Sequence, residues 1–178
     1  MTKRSMLVGA VGGMAAGLMM AVVEMIYGWA SSSHTAWDAP MGIWAYVAGL
    51  NHFGHPGNHI GPVVLGIGGH MVNSMIVGIV FVALMRMLRN PPGALMLGTA
   101  YGVGIWAVMR YVLLPLNTPE DRLFTTGVIS PQWVWWLAHV ALGMTLGVAY
   151  LLFGERQLAG EANQQLAGIR EPRVHRAA

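Results

Sequence analysis

The chain contains no cysteine, and few of its residues are charged. Of 178 residues, 10% are Asp, Glu, Lys or Arg, against about 25% in an ordinary soluble domain. The absence of cysteine excludes disulfide cross-links, thiol nucleophiles and zinc–thiolate sites. The sequence also lacks a glycine-rich phosphate loop, a nucleophile elbow, a His-Glu-x-x-His motif and a pair of carboxylates at one site. We therefore expect a protein without enzymatic activity.

What the chain has in abundance is apolar residues and glycine. Hydrophobic residues make up 55% of it, with 24 Gly, 14 Met and 7 Trp, a composition typical of helices that pack in lipid. A bilayer core of about 30 Å takes about 20 apolar residues of helix, and strands with open edges are excluded there. The sequence predicts an all-α membrane protein, a four-helix bundle over 1–153 followed by a polar cytoplasmic tail over 154–178. Its helices are predicted at 6–29, 62–85, 94–116 and 131–153.

The basic residues predict the orientation of these helices. Apart from Arg110, which lies inside a span, and Arg122, all Lys and Arg residues fall at one end of such a bundle. The positive-inside rule places that end, with both termini, on the cytoplasmic side of a bacterial inner membrane. The outer loop 30–61 contains an apolar stretch, 40–50, that is too short to span and is interpreted as an interfacial helix. The basic balance follows this topology, so it does not indicate nucleic acid.

The second and fourth predicted helices look like copies of each other. A shift of 69 positions superimposes His70 on His139, and it also aligns three further identical pairs: Pro62 with Pro131, Met75 with Met144, and Gly78 with Gly147. The first and third helices share glycine-rich character. We interpret the chain as two parallel helix-pair repeats, related by a pseudo-two-fold axis along the membrane normal.

Each predicted helix carries one ionisable residue at nearly the same depth. Glu24, His70, Arg110 and His139 lie roughly 8–12 Å in from the outer end at 1.5 Å per residue. Such groups are costly in lipid and need partners, so we expect a buried ion pair between Glu24 and Arg110. Three interpretations stay open for His70 and His139. They bond to neighbouring carbonyls or Ser74, they ligate one b-type haem, or they belong to a proton, quinone or small-ligand site that opens outward.

A second histidine cluster lies in the outer loop. His52, His55 and His59 are close in sequence, and imidazole suits copper, zinc or nickel. Two interpretations remain open: solvated or interfacial loop residues, or a metal site.

The pattern resembles small four-helix bacterial inner-membrane proteins of unknown function. The resemblance rests on Gly-x3-Gly in the first helix, Gly-Gly-His70 in the second, Gly98 through Pro115 in the third, and His139-x3-Gly143-x3-Gly147 in the fourth. It implies the fold and no activity. From the composition we expect an accessory or assembly subunit packed in a larger energy-converting membrane complex, respiratory or photosynthetic. The alternatives are an electron-transfer module that holds haem, and an outward-facing proton, quinone or metal site.

Overall fold

A computed structural model describes residues 1–53, 60–88, 93–154 and 160. Within these residues all regular structure is helical, and no strand occurs. The helices are α1 (Lys3–Ala30), α2 (Asp38–Ala48), α3 (Ile60–Leu88), α4 (Ala94–Val108), α5 (Arg122–Thr125) and α6 (Gln132–Ala149). A 3-10 turn, Leu50–His52, follows α2. Helix α4 continues through a π-helical turn (Met109–Leu113) and a 3-10 turn (Leu114–Leu116), and α6 ends in a π-helical turn (Tyr150–Gly154).

Four of these segments are long and apolar enough to cross a membrane. They are Lys3–Ala30, Ile60–Leu88, Ala94–Leu116 and Gln132–Phe153. The prediction of an all-α chain with four such helices is therefore confirmed. Helix α2, with 11 residues, coincides with the stretch that the sequence marks as too short to span.

Glycine allows α1 and α3 to approach to backbone contact. A Cβ added at Gly13 would lie 2.1 Å from the Ser74 carbonyl oxygen, and one at Gly78 would lie 2.1 Å from the Gly9 carbonyl oxygen. No larger side chain fits between helices this close. Lipid provides no hydrophobic drive for helix association, so such small-residue contacts hold the helices together.

Helices α4 and α6 form a second pair of the same kind. A Cβ at Gly98 would lie 2.4 Å from the Gly143 carbonyl oxygen, and one at Gly102 would lie 2.2 Å from the His139 carbonyl oxygen. Position by position, Gly98 makes the contacts on α6 that Gly13 makes on α3. Two closely packed pairs, α1 with α3 and α4 with α6, are thus the units of the bundle.

The two pairs meet mainly through α1 and α6, whereas α3 and α4 contact each other far less closely. A core of buried side chains joins the pairs near the N-terminal end of α1, and it includes Phe81, Met85 and Tyr150. There the Tyr101 hydroxyl donates a hydrogen bond to the Val77 carbonyl oxygen at 2.9 Å and so links α4 to α3. Toward the opposite end, α3 and α4 leave a space between them.

Helix α2 covers the end of the bundle away from the N-terminus. It packs on α3 where Gly66 meets the Pro40 carbonyl. The Tyr46 hydroxyl donates to the Leu113 carbonyl oxygen at 2.9 Å, and the Asn117 amide donates to the Tyr46 carbonyl oxygen. In the π-helical turn the backbone hydrogen bonds are spaced differently from those of the α-helix before it. One carbonyl of this turn, that of Leu113, accepts its hydrogen bond from Tyr46.

Candidate functional site: a cavity between the helix pairs

The space between the two helix pairs is a cavity of about 500 Å³. Its wall is mainly apolar, formed by residues of α1, α2, α3, the end of α4, α5 and α6. The exposed lining residues include Gly69, Asn73 and Leu113, so the cavity opens to the outside between α3 and the end of α4. The polar side chains in its wall are Glu24, Tyr46, His70, Asn73, Ser74 and His139.

His139 is fixed by its own helix. Its Nδ1–H donates to the Trp135 carbonyl oxygen at 2.8 Å, and the Trp135 ring stands edge-on to the imidazole at 5.2 Å between ring centroids. Because a carbonyl only accepts, this bond assigns the proton to Nδ1 and leaves a lone pair on Nε2 of the neutral ring. His139 thus brings a hydrogen-bond acceptor, or a metal-ligating nitrogen, to the cavity.

His70 is fixed by the neighbouring helix instead. Its Nε2–H donates to the Gly17 carbonyl oxygen at 3.0 Å, while the Ser74 hydroxyl donates to the His70 carbonyl oxygen at 2.7 Å. Gly17 must be glycine, since a Cβ there would lie 2.1 Å from Ser74 Oγ. The unshared nitrogen of neutral His70 is therefore Nδ1. The two histidines have equivalent positions in the sequence, but they offer different nitrogens.

Glu24 is buried, with 8% of its surface exposed, and it makes no hydrogen bond or ion pair with any other described residue. The expected partner, Arg110, lies in the π-helical turn with its guanidinium 5.7 Å from the Tyr111 ring centroid. Arg110 is not part of the cavity wall; its neighbour Met109 is. The expectation of a Glu24–Arg110 pair is therefore corrected.

The physical reason is the direction of the side chains. When the pair α1–α3 is aligned with the pair α4–α6 through their glycine contacts, Gly17 corresponds to Gly102 and Glu24 corresponds to Met109. Arg110 is one residue further on, which turns its side chain about 100° around the helix. In addition, α1 packs against α3 and α6 rather than α4. Glu24 and Arg110 lie at a similar depth along their helices, but their side chains do not point into the same space.

Asn73 is a site residue that the sequence interpretation missed. It lies one turn after His70, at the middle of α3, and it is exposed where the cavity opens. Within the described part of the chain its amide has no hydrogen-bond partner. Asn73 is the one asparagine inside the four apolar helices, and a polar side chain there is costly without a partner. That cost is the signal that could have found it.

The wall is more polar on one side than on the other. Glu24 and Asn73 belong to the pair α1–α3, and the positions that match them in α4–α6 are Met109 and Leu142. The pair α4–α6 contributes His139 to the wall, so this side is less polar than the side formed by α1 and α3 but is not wholly apolar.

A smaller cleft of about 100 Å³ lies on the other side of Glu24. Residues of α1, α2 and α3 line it, including Ala21, Ala39 and Met71. Glu24, Ile43 and His70 line both this cleft and the larger cavity. These three side chains separate the spaces.

The outer-loop histidines do not join this site in the described structure. His52 lies in the 3-10 turn after α2, with its ring 6.3 Å from that of Trp44. His55 and His59 lie outside the described residues. Among the described residues, no group of three His, Cys, Asp or Glu side chains could hold a metal ion. The metal interpretation of this loop stays a prediction.

Comparison with known proteins finds no matching family model, no matching curated protein and no matching solved structure. The resemblance to small four-helix inner-membrane proteins therefore rests on the sequence motifs alone, and the geometry of the cavity carries the functional argument.

Proposed function

We propose that the protein binds a small lipophilic molecule in the cavity, and that the head of this ligand carries hydroxyl groups of the quinol or phenol class. The observation that carries the proposal is one mainly apolar cavity of about 500 Å³ with Glu24, His70, Asn73 and His139 in its wall. Ligand sites commonly have this form, an apolar pocket with a few convergent polar groups.

The hydrogen bonds that the wall residues already make indicate the chemistry of the ligand head group. The N–H of each histidine ring donates to a backbone carbonyl, so each neutral ring can only accept a hydrogen bond from a ligand. A Glu24 carboxylate also accepts, and the Asn73 amide can donate or accept. A head with hydroxyl donors matches this set. The opening between α3 and α4 faces the apolar surroundings of the bundle, which suits a molecule that arrives from the lipid.

The same geometry favours this ligand over haem. A haem held between two histidines takes one unshared nitrogen from each, usually with the other ring nitrogen donating to a carbonyl or carboxylate. His139 has that arrangement through Nε2. His70 has its unshared lone pair on Nδ1 instead, because its Nε2–H is bonded to the Gly17 carbonyl oxygen. Nδ1 lies beside the residue's own Cβ and main chain, which hinder the approach of a porphyrin. Haem would require the His70 ring to turn and lose this bond.

The proposal is tested by titrating the purified protein in lipid nanodiscs with a short-chain ubiquinol. Trp135 lines the cavity, so tryptophan fluorescence reports occupancy. We expect saturable quenching, with Kd raised about tenfold by Asn73→Leu or His139→Leu, which corresponds to about 1.4 kcal/mol for a lost hydrogen bond.

The matched control is Thr99→Val, which also removes a polar group from a spanning helix. Thr99 is half-buried, donates to the Leu95 carbonyl oxygen in its own helix and lies away from the cavity. Quenching that does not saturate, or that is the same in all variants, would mean simple partition of the quinol into lipid and would overturn the proposal.

Membership of a larger energy-converting complex is a second candidate, favoured by glycines on the outer surface. A Cβ at Gly68 of α3 or Gly104 of α4 would meet nothing within 4 Å, so another helix could approach closely there. Extraction in mild detergent should then yield a partner in fixed stoichiometry, lost with Gly68→Leu or Gly104→Leu. A stable monomer or homodimer in both wild type and variants would count against it.

The proposal includes the predicted orientation and the repeat. The distribution of Lys3, Arg4 and Arg86 against Arg122 supports cytoplasmic termini in a bacterial inner membrane, and the matched glycine contacts support two parallel repeats. Because the chain has no cysteine, single-cysteine variants report orientation directly. A membrane-impermeant maleimide should label Ser33→Cys and Thr126→Cys in intact cells but not Met87→Cys, and all three positions are exposed. Labelling of Met87→Cys alone would mean that the helices have the opposite orientation.

A further inference from the structure

Glu24 lies where two spaces meet. The cavity of about 500 Å³ is on one side of it and the cleft of about 100 Å³ is on the other. Its side chain has no bonding partner among the described residues, although only 8% of its surface is exposed. A buried polar group without a partner calls for an explanation.

No cation among the described residues balances Glu24. The titratable groups in the walls of the two spaces are His70 on α3, His139 on α6 and Tyr46 on α2. Both histidines already donate to backbone carbonyls, and so does the Tyr46 hydroxyl. Arg110 is turned away from the cavity. An unpaired carboxylate is costly in such apolar surroundings, and a proton removes the charge.

The cleft is the second space beside the Glu24 carboxyl. It runs between α1, α2 and α3, and α2 covers the end of the bundle away from the N-terminus. Ala21 and Ala39 are small side chains in its wall, which leaves room beside the Glu24 carboxyl. A ligand in the cavity would occupy the opposite side of the same group.

We infer that Glu24 is a proton-exchange site: its carboxyl exchanges a proton through the cleft, and releases it when the donor head of a ligand binds in the cavity. The inference rests on the proposed ligand site. In the release step the Glu24 O–H bond breaks, the proton leaves through the cleft, and the carboxylate accepts a hydrogen bond from the ligand hydroxyl. No electron moves, and the ligand keeps its own protons.

The first test uses N,N′-dicyclohexylcarbodiimide, a lipid-soluble reagent for protonated carboxyl groups. The carboxyl proton passes to a carbodiimide nitrogen as the carboxyl oxygen adds to the central carbon, and the adduct rearranges to an N-acylurea without a leaving group. In nanodiscs, mass spectrometry should find the adduct at Glu24 and none at this position in Glu24→Gln. Ala21→Leu, which narrows the cleft, should slow labelling about fivefold or more. Ala15→Leu, at an exposed position of the same helix, should leave the rate unchanged.

The second test measures protons with a pH indicator in weakly buffered nanodiscs while the short-chain ubiquinol is added. We expect release of about one proton per wild-type protein and none from Glu24→Gln, as binding linked to one titrating group requires. Bound ubiquinol should also protect Glu24 from the carbodiimide. Thermal unfolding and gel filtration verify that each variant is folded, and Glu24→Asp should retain proton release.

The outcomes separate the two proposals. If Glu24 is labelled and Ala21→Leu slows the labelling, but ubiquinol does not bind, the ligand site fails and proton exchange through the cleft stands. If ubiquinol binds saturably, but Glu24 is not labelled or Glu24→Gln releases as many protons as wild type, the inference fails and the ligand site stands.

Discussion

His70 donates a hydrogen bond from Nε2 to the carbonyl oxygen of Gly17 at 3.0 Å. This bond exists because Gly17 has no side chain, so that the backbone of α1 comes within reach of α3. One glycine thus sets both the spacing of two helices and the nitrogen that His70 offers to the cavity. The same contact between Gly17 and His70 therefore affects both the packing of the bundle and the chemistry of the site.

Gly17→Ala should destabilise the protein through this contact. The added Cβ would lie 2.1 Å from Ser74 Oγ, so α1 and α3 must separate, at a cost of about 1–3 kcal/mol. The measurement is thermal unfolding in detergent, with Gly68→Ala as the control because a Cβ there meets nothing within 4 Å. Equal effects of the two substitutions would contradict the packing argument.

Tyr46→Phe should loosen α2 from the end of α4. It removes the hydroxyl that donates to the Leu113 carbonyl oxygen, a bond worth about 1 kcal/mol. Hydrogen exchange should accelerate across Asp38–Ala48 and remain unchanged in α6. Tyr111→Phe, at a side chain with 67% of its surface exposed, is the matched control and should have no effect on α2.

The same bond should depend on pH in a defined direction. Burial, together with the nearby Asp121 and Glu120 carboxylates, raises the pKa of Tyr46 above its ordinary value of 10.0. A raised tyrosine pKa favours the protonated folded form. The contribution of Tyr46 is therefore complete below pH 10 and is lost as the pH rises through the folded pKa. Protection of α2 that falls between pH 7 and pH 9 would contradict this.

Tyr101→Phe should make the cavity easier to enter. The Tyr101 hydroxyl bonds to the Val77 carbonyl oxygen at the inner edge of the cavity, beside the buried core. It joins α4 to α3, which otherwise contact each other little. Without it, we expect ubiquinol to bind and leave faster in stopped-flow fluorescence, with a smaller change in Kd. Thr99→Val serves as the control, and slower binding in Tyr101→Phe would refute the proposed entrance.

Purified protein should lack a Soret band, since His70 Nε2 is bonded to Gly17. The measurement is a visible absorption spectrum after mild extraction with haem added during expression. A Soret band that disappears in both His70→Ala and His139→Ala would instead establish the haem interpretation.

The amino-acid sequence by itself determined the four apolar helices, because membrane spanning depends on the length and hydropathy of each segment. It also singled out glycines such as Gly78 and Gly147, whose small size explains the close helix pairs, and it directed attention to Glu24, His70 and His139. Each of these inferences is local to one helix.

Only the tertiary structure decided which side chains share a space. It separated Glu24 from Arg110, added Asn73, and gave His70 and His139 different hydrogen bonds despite their equivalent positions. The physical reason is rotation about the helix axis: a shift of one residue turns a side chain by about 100° and changes its depth by only about 1.5 Å. Depth can be counted along a sequence, but the face that each helix presents is fixed only when the helices pack.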